Sequence, residues 1–163
     1  MPNPIPDFQE ILKVLVSNDV DFIVVGGVCA VLHGAPVSTF DLDLVHSRVP
    51  DNLDRLMLSL HALDAYYRER EDIRLIPTLS HLSSLGHQRL MTKYGPLDLL
   101  GTIGKGNNYE DLLKHTEKIQ VGNYSLCILS LEKLIEIKKE LARDRDKTML
   151  PILRRTLEEK HKH

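Results

Sequence analysis

Tryptophan is absent from this chain of 163 residues, and aromatic residues make up only 5% of it. No stretch interleaves aromatic with basic residues, the arrangement that stacks the bases of single-stranded nucleic acid, so sequence-specific nucleic-acid binding is unsupported. Cysteine is also scarce. Cys29 and Cys127 stand alone in apolar surroundings without Cys-x-x-Cys spacing. This pattern argues against a disulfide framework or a zinc site and predicts core thiols in a reducing compartment.

Long hydrophobic runs and a strong net charge are missing as well. No apolar stretch approaches the length that spans a bilayer, and Met1–Gln9 lacks the layout of a signal peptide, so we expect a cytoplasmic protein without membrane contact. The formal net charge is −2, which excludes a polycation that coats nucleic acid. Residues 132–163 hold ten Lys or Arg against seven Asp or Glu. Such a basic segment suits an anionic substrate, and it equally suits a solvated helix.

Hydrophobic periodicity predicts helices and strands in alternation. The first half of the chain is predicted to contain a helix over 7–18, a buried strand over 21–27, a short helix over 28–33, a strand over 40–46 and a helix from Pro50 to about Leu63. The second half is predicted to contain two strands within 87–103 joined at Gly95-Pro96, a helix over 108–118 and a hairpin turning at Gly122-Asn123. A helix from Ser130 follows, and then a last helix that Pro151 either kinks or opens. This order predicts an α/β (α+β) fold with a mixed sheet flanked by helices. We expect residues 1–128 to form the core and 129–163 a helical segment packed on it.

Two carboxylates share one side of the predicted strand "STFDLDLV". Asp41 and Asp43 alternate with leucines, so both side chains project from the same face at roughly 7 Å spacing. Carboxylates this close repel each other unless a cation lies between them, and Mg²⁺ prefers such oxygen ligands. Asp98 is the other aspartate embedded in an apolar, strand-like run, and a third carboxylate would allow a two-ion site. The alternative is an edge strand whose acids face solvent.

Gly26 and Gly27 end the buried strand that precedes these acids. Backbone amides at a strand-to-helix junction bind anions, and glycine lets a phosphate approach closely. Most glycine pairs are only turns, but this one lies shortly before the paired aspartates.

Lys138 falls in the middle of the apolar face of the predicted helix from Ser130, between Leu134 and Leu141. Lysine is almost never fully buried without a partner. Its ammonium group therefore either extends along the core to water or reaches into a cleft that holds anions.

Taken together, these features resemble the nucleotidyltransferases of the polymerase-beta-like superfamily, in particular their minimal bacterial members, which include toxins of toxin–antitoxin and abortive-infection systems. The resemblance lies in "FIVVGGVCAVLHGAPVSTFDLDLV", in the strand around Asp98, and in "LSLEKLIEIKKELARDRDK". These pieces cover residues 22–45, 96–101 and 129–147, which is under half of the chain. Their combination is specific, whereas no single piece is.

The resemblance implies transfer of a nucleoside monophosphate from a nucleoside triphosphate to a hydroxyl acceptor, which could be a tRNA, a protein or a small molecule. Asp41, Asp43 and Asp98 would be the catalytic carboxylates and the ligands of Mg²⁺, in a two-ion site that Mn²⁺ could also occupy. Asp98 would help to activate the acceptor hydroxyl. An antitoxin protein would be a further partner.

The resemblance also implies a set of nucleotide-binding residues: Gly26, Gly27, Thr39, Lys138, Arg143 and Arg145. One departure from the family pattern is Val37, which stands where many relatives carry an arginine four residues before the first metal aspartate. The alternative function is therefore a catalytically weakened, nucleotide-binding or regulatory module of the same fold.

Two histidines lie close to these motifs. His33 ends the short helix after the glycine pair, and His46 closes the strand that carries the acids. We interpret His33 as a hydrogen-bonded structural residue rather than a ligand contact, and His46 as either a support for the metal ligands or an exposed strand end.

Overall fold

The computed structural model describes residues 6–70 and 72–162. Its helices are α1 (Phe8–Ser17), α2 (Gly26–Leu32), α3 (Pro50–Ala62), α4 (Leu79–Leu82), α5 (Tyr109–Leu113), α6 (Leu131–Leu141) and α7 (Asp144–His161). Its strands are β1 (Phe22–Val25), β2 (Leu42–His46), β3 (Tyr66–Tyr67), β4 (His87–Thr92), β5 (Gly95–Leu100), β6 (Thr116–Val121) and β7 (Tyr124–Leu129).

The strands form one mixed sheet in the order β3–β4–β5–β2–β1–β7–β6, which places β2 at its centre. Strand β2 runs parallel to β5 and antiparallel to β1, and β1 runs parallel to β7. The predicted α/β fold with a mixed sheet is therefore confirmed. The alternative that Asp41 and Asp43 belong to an edge strand is wrong, because β2 has a hydrogen-bonded neighbour on each side.

One face of the sheet, which we call the core face, is buried at its centre. Val24, Leu44, Leu99, Leu97 and Leu90 follow one another across four strands in register, and each of them is 0% exposed. This alternation is the pattern expected where a strand buries every second side chain. The opposite face, which we call the site face, carries Asp43 and Asp98.

The C-terminal helices belong to the same hydrophobic core as the sheet. Leu134 and Ile137 of α6 and Leu153 of α7 are buried in it. The side chain of Ser130 caps α6 by accepting a hydrogen bond from the Lys133 backbone N–H at 3.2 Å, as helix N-caps typically do. The division into residues 1–128 and 129–163 stays a prediction. Among the helices of residues 6–70 and 72–162, none is long and apolar enough to cross a membrane.

Several sequence-based boundaries are wrong, and one of two alternatives for Pro151 is excluded. The strand predicted over 21–27 ends at Val25, because Gly26 and Gly27 begin α2. The helix predicted over 108–118 ends at Leu113, because the residues from Thr116 onward pair with β7 instead. Gly95 is the first residue of β5 rather than part of the turn. Pro151 does not open the last helix, since it lies inside α7, whose first residue is Asp144.

Candidate functional site

The predicted carboxylates meet where β2 and β5 lie side by side. Asp43 and Asp98 are partners in the parallel register of these strands, so both side chains project from the site face. Asp41 precedes β2 by one residue. The Asp41 side chain is 46% exposed and that of Asp98 only 13% exposed, so the cluster extends from solvent into a partly buried cleft.

Repulsion among these acids changes the titration of the central one. The pKa of Asp43 is raised from 3.8 to about 7, first by burial, then by the charge of Asp98 and a hydrogen bond with it, and then by the charge of Asp41. The positive charge of Arg68 opposes this shift. Near neutral pH, Asp43 is therefore about half protonated, and a cation that binds here must displace that proton.

The first two residues of α2, Gly26 and Gly27, pack directly against the segment that carries Asp41 and Asp43. Gly26 has a φ of +69°, and a Cβ at this position would collide with the Asp43 carboxylate. A Cβ at Gly27 would lie 2.6 Å from the Oγ1 of Thr39, a hydroxyl that itself donates to the Asp41 backbone oxygen at 3.2 Å. The structure thus brings Gly26, Gly27 and Thr39 together with the carboxylates. Both glycines are required by this close approach.

Arg68 is the charged residue of this site that sequence reasoning missed. It directly follows β3, and its Nη1 atom lies 2.7 Å from Asp98 Oδ1 while its Nη2 atom lies 4.0 Å from Asp41 Oδ2. The Nη1 atom also donates a hydrogen bond to the Leu90 carbonyl at 2.8 Å. Arg68 is therefore a built-in counter-charge for the acids. No motif marks it, because only the pairing of β3 with β4 brings it to the site.

The acids match the donor chemistry that Mg²⁺ requires, although they are not preassembled as its ligands. Asp98 Oδ1 is buried, and its charge is paired with Arg68, whose Nη1 atom lies 2.7 Å away. Carboxylate oxygens are the ligands that Mg²⁺ prefers, so the three acids fit the ion once the Asp98 carboxylate turns away from Arg68. Within the described part of the chain, however, no three acidic, histidine or cysteine side chains are grouped closely enough to hold a metal ion. In this arrangement, the carboxylate of Asp98 lies against Arg68 instead.

Two of the three predicted basic residues of the C-terminal segment, Lys138 and Arg143, contact Asp146. Lys138 donates to Asp146 Oδ1 at 3.3 Å, and Arg143 donates from Nε to Asp146 Oδ2 at 2.6 Å. The Asp146 side chain is fully buried, which acts to raise its pKa, but the hydrogen bonds from Arg143 and the charge of Lys138 lower it overall. Arg145 is exposed and makes no hydrogen bond or ion pair with the residues that the structure describes.

This cluster gives Lys138 a structural partner that the helical periodicity could not show. Its side chain is 17% exposed, so the lysine neither lies free in the core nor pairs with a site acid. The ion pair between Lys138 and Asp146 joins α6 to α7 across the turn at Ala142, whose φ is +48°. Arg143 pairs with Asp146 within the first turn of α7, so Lys138 braces the two C-terminal helices and Arg143 stabilises the start of α7.

The two histidines are buried and hydrogen-bonded. His33 Nε2 lies 2.7 Å from the Leu129 carbonyl, to which it donates, and Nδ1 then accepts from Lys160 at 2.6 Å. His46 Nε2 contacts the Leu82 carbonyl at 2.8 Å, and burial lowers its pKa. His33 thus has the structural role predicted for it, and His46 is not an exposed strand end.

The arrangement of the chain is similar to that of two solved structures. One is a protein from Thermotoga maritima described as a candidate nucleotidyltransferase, with a TM-score of 0.58 and 18% identity over 93% of this chain and 91% of that one. The other is the lincosamide antibiotic adenylyltransferase LnuA bound to lincomycin, with a TM-score of 0.59 and 14% identity over 90% of this chain and 94% of that one. The chain therefore has a nucleotidyltransferase-like fold.

Comparison with models of protein families gives no match. Comparison with curated proteins gives none either. At identities of 14–18%, the structural similarity establishes the fold, and the chemistry has to be argued from the residues of the site.

Proposed function

We propose that this protein is a Mg²⁺-dependent nucleotidyltransferase that moves a nucleoside monophosphate from a nucleoside triphosphate to a hydroxyl acceptor. The observation that carries the proposal is the register of β2 and β5, which sets Asp43 beside Asp98 directly against the turn at Gly26. Carboxylates on neighbouring strands next to a glycine turn suit a metal-bound triphosphate. The nucleotidyltransferase-like fold of the chain supports the same chemistry.

In this proposal, the acceptor oxygen forms a bond to the α-phosphorus, the bond between the α-phosphorus and the bridging oxygen breaks, and pyrophosphate leaves. Asp41, Asp43 and Asp98 would hold Mg²⁺, which when bound supplies charge neutralisation for the phosphates. Asp98, which is only 13% exposed and lies beside Asp43, would accept the acceptor's proton. The amides at Gly26 and Gly27 would approach the outer phosphates.

A second candidate is a nucleotide-binding module of the same fold with little or no turnover. The contact between Arg68 and Asp98 favours it, since an acid held by a guanidinium is a weaker base and a poorer metal ligand. The side chain at position 37, Val37, supplies no charge for the phosphates either. A toxin role and an antitoxin partner rest on the resemblance alone, and a cytoplasmic location stays a prediction.

Thermal unfolding with each nucleoside triphosphate, with and without Mg²⁺, tests the proposal. A ligand that binds only the native state raises the free energy of unfolding by mass action, by about 2.7 kcal/mol at a hundredfold excess over Kd. The melting temperature rises with it. We expect a Mg²⁺-dependent increase for wild type that is lost in Asp43→Ala. Asp54→Ala, which changes an exposed aspartate on α3, is the matched control and should keep the increase.

Release of pyrophosphate with a panel of acceptors separates the two candidates. An active transferase shows metal-dependent release that Asp98→Ala abolishes. Binding without release from any acceptor favours the module, and the absence of binding contradicts both candidates.

A further inference from the structure

The site face is open on the side of the carboxylates that leads toward β3. In β4 and β5, the residues that alternate with the buried leucines are not covered: His87 and Arg89 are exposed, and Met91 and Pro96 are half-buried. On the other side, α2 begins at Gly26 and covers the acids. The carboxylates therefore lie between a covered and an open half of the same face.

Arg89 occupies the position next to Asp98 on this open half. The two residues are direct partners in the antiparallel register of β4 and β5, so their side chains leave the same face with Cβ atoms about 5 Å apart. The pairing of Tyr67 with Leu90 sets Arg68 beside Arg89 in the same way. The order across the sheet is thus two arginines followed by two aspartates: Arg68, Arg89, Asp98 and Asp43.

The nearer arginine is not the one that pairs with Asp98. Arg68, which lies one strand farther away, reaches back to within 2.7 Å of Asp98 Oδ1. Arg89 is exposed and makes no hydrogen bond or ion pair through its side chain within residues 6–70 and 72–162. Opposite charges directly across two strands ordinarily pair. Here, the demand of Asp98 for a counter-charge is met by Arg68, which leaves the guanidinium of Arg89 available to an external anion.

We assign the triphosphate to the covered half of the face, because the backbone at Gly26 lies so close to Asp43 that a Cβ would not fit there. The second substrate must then reach Asp98 from the open half, over β4. A group arriving by this route meets Arg89 within one side chain's length of Asp98. Guanidinium groups bind phosphate through parallel, charge-assisted hydrogen bonds.

We propose that Arg89 binds the phosphate group of the acceptor, and that the acceptor is a hydroxyl compound with a phosphate ester next to its nucleophilic hydroxyl. This inference rests on the proposed function, because it assigns the acceptor of the same site. Two sources share this chemistry, namely a small phosphorylated polyol and the 3′ end of a nucleic-acid strand. An uncharged or cationic acceptor would leave the guanidinium of Arg89 without an anion.

The test measures binding of phosphate-bearing probes to the full chain with Mg²⁺ and a saturating triphosphate analogue whose α–β bond cannot be cleaved. One probe is glycerol phosphate, with glycerol as its uncharged counterpart. The other is a single-stranded oligoribonucleotide with a free 3′ hydroxyl. The variants are Arg89→Glu, Arg89→Lys and the control Lys118→Glu, which reverses an exposed charge on β6 at the far edge of the sheet. Circular dichroism confirms that each variant is folded.

We expect Arg89→Glu to weaken binding of at least one phosphate-bearing probe by about tenfold or more, since a charge-assisted hydrogen bond contributes about 1.5–3 kcal/mol. Arg89→Lys keeps the charge but not the paired hydrogen bonds, so it should bind more weakly than wild type and more tightly than Arg89→Glu, whereas Lys118→Glu should equal wild type. Tighter binding of glycerol phosphate identifies a small acceptor, and tighter binding of the oligonucleotide identifies a strand end. Glycerol should not bind measurably.

Three results would overturn the proposal: equal loss in Arg89→Glu and Lys118→Glu, no binding of either phosphate-bearing probe, or glycerol bound as tightly as glycerol phosphate. A loss of triphosphate affinity in Arg89→Glu would also overturn it, by assigning the arginine to the nucleotide. The stabilisation of wild type by Mg²⁺ and triphosphate is read separately. Its absence would contradict the proposed function, whereas its presence without any effect of Arg89 would contradict this inference alone.

Discussion

Replacing Asp43 by asparagine should stabilise the metal-free protein while it removes metal-dependent triphosphate binding. The asparagine keeps the shape of the side chain and removes the charge that Asp98 and Asp41 repel. The raised pKa of Asp43, about 7 instead of 3.8, measures what ionisation of this residue costs the folded state. The substitution to asparagine should return this cost as an increase in the free energy of unfolding.

The rise in the pKa of Asp43 from 3.8 to about 7 corresponds to about 4 kcal/mol, which is an upper limit on the gain in stability. Relaxation of the partly exposed carboxylates and solvent screening reduce this value, so about half of it, about 2 kcal/mol, is a realistic gain. For a domain of this size, 2 kcal/mol raises the melting temperature by roughly 4–8 °C.

The pH dependence follows from the direction of the shift. Below about pH 4, Asp43 is protonated in both the folded and the unfolded chain, and its substitution gains little. Between about pH 4 and 7 the folded chain holds the extra proton, so the stability of wild type falls as pH rises. Above about pH 7 the full penalty is present. The gain in Asp43→Asn should therefore be largest at pH 8 and about a third as large at pH 5.

Urea denaturation in EDTA at these two pH values measures the gain, with the exposed Asp54→Asn as control. Addition of Mg²⁺ and triphosphate should then stabilise wild type and leave Asp43→Asn unchanged. A variant less stable than wild type, or a gain that is the same at both pH values, would refute the claim that like charges meet at Asp43.

Three further predictions test other parts of the structure. Gly26→Ala should abolish triphosphate stabilisation, because its Cβ collides with the Asp43 carboxylate at a φ of +69°; calorimetry measures the binding. Asp146→Asn should cost about 2 kcal/mol in urea denaturation, since it leaves two cations without their partner, and Arg145→Ala should cost less than about 0.5 kcal/mol. Cys29 should resist thiol reagents in the native state, because burial raises its pKa to about 12; mass spectrometry of the alkylated protein shows this.

Matched controls make these outcomes informative. Gly86→Ala adds a methyl group where the nearest atom, Ser84 Oγ, is 3.7 Å away, so triphosphate binding should be retained. Equal losses in Gly86→Ala and Gly26→Ala would show that the effect is not specific to the turn. Rapid alkylation of Cys29 in the folded protein would contradict its burial.

Local sequence pattern indicated the acids at the centre of the candidate site, although Asp41 lies one residue before β2. The alternation around Asp41 and Asp43 predicted a strand with both acids on one face, and the apolar run around Asp98 predicted another. Their parallel pairing in register was not encoded in either segment. It follows from how the two strands pack in the sheet, so the sequence indicated the acids without showing how closely they meet.

The basic residues show the limit of local pattern more clearly. Lys138 was conspicuous because a lysine interrupts an apolar helix face, yet its partner Asp146 lies on the next helix, beyond a turn in which Ala142 adopts a positive φ. A helical wheel describes one helix and contains no information on the angle at which the next one returns. The sequence therefore identified a lysine that needs an anion, and only tertiary packing showed which one.

Arg68 and Arg89 escape sequence reasoning for the same physical reason. Each lies in a stretch without a strong motif, and each reaches the acids only because β3 and β4 extend the sheet beyond β5 in one particular register. A shift of that register by one residue would turn both side chains to the core face. Their approach to the carboxylates is thus a property of the assembled sheet.

This approach has a consequence for chemistry. Three acids alone would attract any cation, but here they are bordered on the open side of the face by two arginines. Arg68 already neutralises part of the charge of the acids, so the proposed substrates have to supply a divalent ion for the remaining acids and an anion for Arg89. A phosphate-bearing acceptor that binds together with a metal-bound triphosphate would supply both.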